Sequence, residues 1–379
     1  MKLLINILGI QDSGGITVLE KLLNEIKDSE YYYLIICNQN QNIENLVKRF
    51  TNYKNLEFKV IPSKGFLNRI YYENIIFRKI IKEKNIDLVY NFSGTSQYFL
   101  PKIQLTKVHN LLFYSKRLDF FYFKNKKHLD WLKQVFLKRI VFHSMLQQTK
   151  YIEIQSNHVK ENISDFIDIS NKNFFIKSDI EVNLDMFESP RQYDFTKKIR
   201  YLYIVGPHFS HLHKNFKDFV DIMKLLDKQK SSFEIIITLS KEQLHSSEFW
   251  DQSLDKKTFF LGYISKDEIK KQFQDNTILI STSIIETLGL HVIESIQQGV
   301  LVIVPNEKYS LDVYGNDILT YNLFNIESLY NIIQNIYLQD NNYIKDIILR
   351  NQKYLIDNEK TKYKNIENIF NKILKENNV

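Results

Sequence analysis

Short apolar runs with little alternation recur along the chain, at residues 3–8, 33–37, 88–92, 201–205, 233–238, 277–281 and 300–304. Runs of this length without a polar face predict strands buried on both sides, the pattern of a parallel sheet. The stretches between them are amphipathic, as at 215–227 and 265–274, and predict crossover helices. The fold class that follows is α/β, with two Rossmann-like, doubly wound parallel-sheet domains. One is expected over residues 1–187 and the other over 195–358. The charged, Pro-containing segment 188–192 (Glu-Ser-Pro-Arg-Gln) is the expected hinge.

Ten glycines punctuate this pattern, and most follow an apolar run and precede a helical one. Glycine is placed where the backbone takes positive φ or approaches something closely, so these turns are candidate site loops. The sharpest constellation is Glu286-Thr287-Leu288-Gly289-Leu290-His291-Val292-Ile293-Glu294, after the run at 277–281. A tight turn at Gly289 would leave Glu286 in the loop and carry Glu294 into the following helix. The amides of Thr287, Leu288, Gly289 and Leu290, at the helix's positive end, would then face a bound phosphate. Upstream, the run ending at Gly206 leads through His208, His211 and His213 to Lys214. A lysine at the carboxyl end of a parallel strand is well placed for a diphosphate. A third loop of this kind is Gly262-Tyr263-Ile264.

Composition narrows the field. With 379 residues, 44% of them hydrophobic and 25% charged, the chain can bury large cores. The 51 Lys and Arg against 44 Asp and Glu give a net charge of +7, which fits an anionic partner without naming one. A lone cysteine, Cys37, excludes an intrachain disulfide or a thiolate metal cluster and favours the cytoplasm. No stretch reaches the ~20 uncharged residues of a membrane span.

These residues, in this order, resemble the retaining GT-B glycosyltransferases of family 4. That family carries a glutamate, a Gly-Leu pair and a second glutamate after seven intervening residues, preceded by a basic phosphate loop and a Gly-Tyr strand end. The counterparts here are Glu286, Gly289-Leu290, Glu294, Lys214 and Gly262-Tyr263. In the first half, Gly14-Gly15 looks like the family's glycine-rich acceptor-side loop, Val108-His109-Asn110 like its active-site histidine segment, and residues 155–160 like the stretch before the interdomain crossing. Many members place an arginine after the glycine matching Gly206, where this chain has Pro207, and His291 stands where proline is common. The resemblance implies a GT-B fold, with a C-terminal helix at about 360–379 packing back on the first domain. It implies a nucleotide sugar donor carrying UDP or GDP, and no metal. Glu286, His109 and Lys214 would then be catalytic. Glu294, Gly14, Gly15, Tyr263, Ile264, Thr287, Leu288, Gly289, Leu290 and His213 would hold the donor. The implied pathway is bacterial surface polysaccharide synthesis.

Competing chemistries are weaker. A glycoside hydrolase holds two carboxyl groups ~5 to 9.5 Å apart, closer than eight residues across a turn suggest. The three histidines at 208–213 have no adjacent cysteine or acid to complete a zinc site. No Asp-x-Asp occurs, so no metal clamp of the GT-A kind is expected. Residues 113–142 interleave Lys and Arg with Phe, Tyr and Trp, which suits either an anionic membrane surface or an ordinary amphipathic helix pair. No nucleic-acid module accompanies it, so no nucleic acid is expected. The expected reaction is sugar transfer to a hydroxyl of a glycan or lipid-linked acceptor, in the cytoplasm or on the inner face of its membrane. The rivals are a GT-B epimerase or phosphorylase, and a non-catalytic membrane or nucleic-acid binder.

Overall fold

The computed structural model describes residues 1–10, 13–62, 65–180, 184–206 and 209–378. Packing divides the chain into two units, Met1–Ser115 with Lys127–Glu181 and Lys362–Val379, and Lys116–Lys126 with Val182–Thr361.

The first unit is built on β1 (Lys2–Asn6), β2 (Tyr32–Asn38), β3 (Leu56–Ile61), β4 (Leu88–Asn91), β5 (Ile103–Lys107), β6 (Tyr151–Ile154) and β7 (Asn173–Ile176). Their order is β3-β2-β1-β4-β5-β6-β7 and every pairing is parallel, with Leu4 opposite both Leu34 and Val89. The second unit carries β8 (Ile199–Tyr203), β9 (Phe233–Ile237), β10 (Thr258–Phe260), β11 (Thr277–Ile280), β12 (Leu301–Pro305) and β13 (Leu319–Tyr321), in the order β10-β9-β8-β11-β12-β13. Each sheet therefore reverses direction once, between β1 and β4 and between β8 and β11. Such a reversal opens a crevice at the carboxyl ends of the two strands.

Continuous apolar strands follow from helices covering both faces: Leu3, Leu4 and Ile5 are all buried, as are Ile278, Leu279 and Ile280. The helix Ile366–Glu376 belongs to the first unit. It buries Ile366, Ile369, Phe370, Ile373 and Leu374, and Phe370 meets the edge of Tyr90 at 5.4 Å. The segment expected as a hinge is instead bonded into the second unit. Glu188 donates its N–H to Gln297 O (2.8 Å) and Arg191 to Gly299 O (2.8 Å). Gly299, at φ +69°, has no room for a Cβ, which would lie 2.3 Å from Ser189 O.

The basic aromatic stretch 113–142 is not one face. The helix Lys116–Lys124 packs in the second unit, burying Leu118, Phe121 and Tyr122. Phe121 stacks on Phe324 at 4.3 Å, Lys124 lies over the same ring, and Arg117 pairs with Glu307 at 2.8 Å. In the first unit, Arg139 is buried and donates to the carbonyls of Phe113 and Ser115. Alternation in sequence left a membrane surface and an ordinary helix pair both open, and the chain divides the stretch: the boundaries after Ser115 and before Lys127 send its parts to different cores.

Candidate functional site

In the second unit the loops after β8 and β11 meet at the sheet's reversal point. The loop after β8 ends in a single 3-10 turn, Leu212–Lys214, and Asn215 then takes the left-handed conformation (φ 47°) to start the helix Phe216–Lys228. Three contacts fasten this turn to the loop after β11. Thr282 Oγ1 donates to Lys214 O (2.8 Å), Ile284 N to His213 O (2.7 Å), and Lys214 Nζ to Glu286 Oε1 (2.6 Å). Tyr203, at the end of β8, adds its hydroxyl beside Thr282 Oγ1 at 3.0 Å.

Glu286 lies in the loop. Gly289, at φ 58°, is the N-cap of the helix Leu290–Gln297, and Glu294 is that helix's fifth residue. No side chain caps the helix start. Only glycine serves at 289, because a Cβ there would stand 2.2 Å from the Tyr314 hydroxyl. That hydroxyl donates to Leu288 O at 2.9 Å, and Tyr309 donates likewise to Ser283 O. Thr287 and Leu290 are half-buried and Leu288 is buried.

The electrostatics are sharply sorted. Burial pushes the Glu286 carboxyl up, but Lys214, with help from His291 and Ser283, brings it down to about 2. Glu286 is therefore ionised throughout the neutral range. Burial lowers His291 to about 4, where the pull of Glu286 is opposed by Lys214, so its ring is neutral at pH 7 and rests against Ser281 Oγ at 3.2 Å. Glu294 is half-buried and faces Lys266 at 3.5 Å. Tyr263 is exposed after Gly262 (φ 67°), and Ile264 is half-buried.

The structure thus joins Lys214, His213 and Glu286, and holds the 287–290 turn beside them. Lys214 is engaged by a carboxylate instead of standing ready for an anion. A cavity of about 310 Å³ borders the same turn, lined by Phe121, Lys124, Phe209, His211, Asn215 and Phe324 among others, and it includes none of Lys214, Glu286 and Glu294. Pro207 and His208 lie outside the described residues. Among the described residues no three His, Cys, Asp or Glu side chains gather as metal ligands would.

The first unit presents its own reversal point. Gly9 N donates to Ser93 Oγ (3.0 Å), and Ser93 N to Asn6 O, joining the ends of β1 and β4. Gly14 and Gly15 are not in a loop; they occupy the first turn of the helix Ser13–Ile26, with φ in the ordinary negative region. His109 follows β5, its ring near Gly94, and burial, then Lys107, lower it to about 4. Sequence reasoning missed the group beside it. Arg69 binds Glu73 at 2.9 Å, and Glu73, fully buried in a π-helical turn, accepts from Asn6 and Thr95. Nothing local marked these residues or the two tyrosines, since each acts on a strand end distant in sequence. The one available hint was a carboxylate, Glu73, in a run otherwise apolar or neutral (Ile70 to Phe77).

Residues 185–369 match the family described as Glycosyl transferases group 1. No curated protein matches the sequence. Among solved structures, a glycosyltransferase from Rickettsia africae ESF-5 is similar over 94% of this chain and 93% of its own, at 17% identity and TM-score 0.62. Sucrose-phosphate synthase from Thermosynechococcus elongatus is similar over 94% of each chain, at 13% identity and TM-score 0.65. TarM from S. aureus, solved as a variant with fondaparinux, alpha-GlcNAc-glycerol and UDP, is similar over 94% and 96%, at 10% identity and TM-score 0.63. At these identities the likenesses speak to the fold, which is GT-B. With that fold, and with most of the unit in which the Lys214 and Glu286 loops meet lying inside the matched segment, the protein is a glycosyltransferase whose residues 185–369 are similar to group 1.

Proposed function

We propose that the chain is a retaining, metal-independent glycosyltransferase that moves a sugar from a nucleoside-diphosphate sugar, UDP- or GDP-linked, to a hydroxyl of a glycan or lipid-linked acceptor. The observation that carries the reading is the meeting of the two loops at the β8/β11 reversal, with Lys214 and Glu286 2.6 Å apart at the start of an uncapped helix. In the reaction the bond from the sugar's anomeric carbon to the diphosphate breaks, and a bond to the acceptor oxygen forms on the same face. A donor phosphate oxygen takes the acceptor's proton. The departing diphosphate gains negative charge, which Lys214, the amides of 287–290 and the helix dipole stabilise. Glu286, held ionised, binds sugar hydroxyls and favours an oxocarbenium-like transition state. Its short reach from Lys214 lets the two act on adjoining parts of one ligand. Glu294 accepts from ribose hydroxyls, Tyr263 and Ile264 border the base, and His213 supports the phosphate turn. Gly14 and Gly15 help to hold the donor, and the neutral His109 takes the catalytic part that the resemblance implies. The setting is the cytoplasmic synthesis of a bacterial surface polysaccharide.

A panel of nucleotide sugars screened by thermal shift, followed by turnover assays with and without acceptor, tests this. Transfer should require acceptor, persist in EDTA, invert no anomeric centre, and fall roughly a hundredfold or more in Lys214→Ala. Donor epimerisation without acceptor, or loss in EDTA restored by Mn²⁺, would overturn the reading.

A further inference from the structure

Two helices of the first unit turn large apolar side chains to solvent. The first runs from Phe66 through a π-helical turn, Tyr72–Ile76, to Lys84, and along it Leu67, Tyr71 and Ile75 recur every four residues at 81%, 54% and 55% exposure. The second runs from His128 through another π-helical turn, Leu132–Phe136, to Gln147. Its Leu129, Leu132, Phe136 and Ile140 recur at three and four residues and are likewise exposed. This spacing puts each set on one side of its helix. Ordinarily such a stripe faces a core; here both face outward.

The helices are neighbours. Phe66 stacks on Phe142 at 5.8 Å, and Tyr98 bridges the pair further along. Its N–H donates to Asn74 Oδ1 (2.8 Å), its carbonyl accepts from Arg78 (2.6 Å), and its hydroxyl meets Ser144. The next residue, Phe99, is 81% exposed on that bridge. Apolar residues scattered singly over a surface mean little, but a grouped set this large marks an interface. Charge says with what. Residues 66–84 and 127–147 hold nine Lys and Arg against three Asp and Glu; Arg69 and Glu73 pair inward and Arg139 is buried, which leaves seven cations against two acids. Among the described residues no helix is long and apolar enough to cross a membrane.

We propose that this two-helix face docks flat on an anionic lipid bilayer, its apolar stripes entering the headgroup boundary and its cations meeting lipid phosphates. The combination of an apolar face with basic flanks is what such surfaces bind. The inference stands on the face alone and not on the reaction proposed above, so either can fail without the other.

The test is co-sedimentation of the full chain with phosphatidylcholine vesicles made with and without phosphatidylglycerol. Wild type should pellet with the anionic vesicles, remain soluble with the neutral ones, and be released in part by salt. Leu129→Glu with Ile140→Glu, and separately Lys127→Glu with Lys133→Glu, should each lower partitioning by at least roughly tenfold, while the thermal midpoint is unchanged. Leu67→Glu with Ile75→Glu repeats the test on the other helix should the first pair not fold. Failure of wild type to pellet, or variants that pellet equally, would overturn the proposal. So would a wild-type dimer in sedimentation equilibrium that the same substitutions dissociate, which would assign the face to a second copy.

Discussion

Replacing Lys214 with methionine keeps much of the side chain's bulk and deletes its charge, leaving Glu286 ionised without its cation. The drop of the Glu286 carboxyl from 4.5 to about 2 corresponds to about 3 kcal/mol of preference for the charged form, at roughly 1.4 kcal/mol per tenfold. Burial opposes that preference, so Lys214 with its neighbours supplies all of it. The pair is only 26% and 17% exposed, so water screens it weakly. At pH 7, Lys214→Met should therefore lose about 3 kcal/mol or more of stability. The sign with pH follows from linkage. In wild type the folded value is depressed, so the stabilisation is complete above 4.5 and is lost as pH falls through about 2. In the variant, burial is opposed only by Ser283 and His291, so the carboxyl moves up from its wild-type value and acid relieves the strain. The gap between the two proteins should shrink to roughly half or less at pH 3. Urea unfolding followed by tryptophan fluorescence measures this. The chain has two tryptophans, Trp131 and Trp250, and Trp250 is buried in the core of the second unit. A Trp131→Phe background reports on that unit alone. An equal gap at both pH values would refute the assignment of the shift to Lys214.

Gly289→Ala should cost about 2 to 4 kcal/mol, from left-handed strain plus loss of the Tyr314 to Leu288 hydrogen bond, and Tyr314→Phe in the same chain should recover part of it in urea melts. Glu294→Ala should weaken nucleotide binding by roughly 1.5 to 3 kcal/mol in calorimetry with UDP and GDP, and unchanged affinity for both would refute its ribose role. His109 should titrate with an NMR midpoint near 4, its folded value lying below the ordinary 6.5. The stability this neutral ring contributes is complete above 6.5 and lost as pH falls toward 4. A midpoint near 6.5 would show the ring to be solvated.

The parts of the molecule that were legible in the sequence are those governed by burial along a single element. The run at 33–37 became β2, and the amphipathic stretch at 215–227 became the helix Phe216–Lys228, because doubly covered strands and one-sided helices impose their period directly. The turn at Gly289 was legible for the same reason, being local. What escaped was long-range. Lys214 and Glu286 are 72 residues apart, so their pairing could not be seen until β8 and β11 were adjacent. Tyr309 and Tyr314 look like ordinary aromatic residues of a short helix until their hydroxyls reach Ser283 and Leu288. The stretch 113–142 stayed open between two readings because interleaved charge and aromaticity describe composition, whereas surface is decided by where the chain turns.

The helix Ile366–Glu376 carries a consequence for how the protein is made. Its Phe370 fills the first unit's core against Tyr33 and Tyr90, and its Glu367 accepts from the Tyr33 hydroxyl at 2.7 Å. During synthesis the second unit, apart from the segment Lys116–Lys126, is contained between residues 182 and 361 and can leave the ribosome whole before residue 366 appears. Vectorial synthesis ordinarily lets the amino-terminal part of a chain mature first. Here the order is reversed: the amino-terminal sheet must wait, with Tyr33 and Tyr90 uncovered, until the last helix arrives. A released chain that ends at residue 361 should display a protease-resistant second unit and a still-cleavable first one.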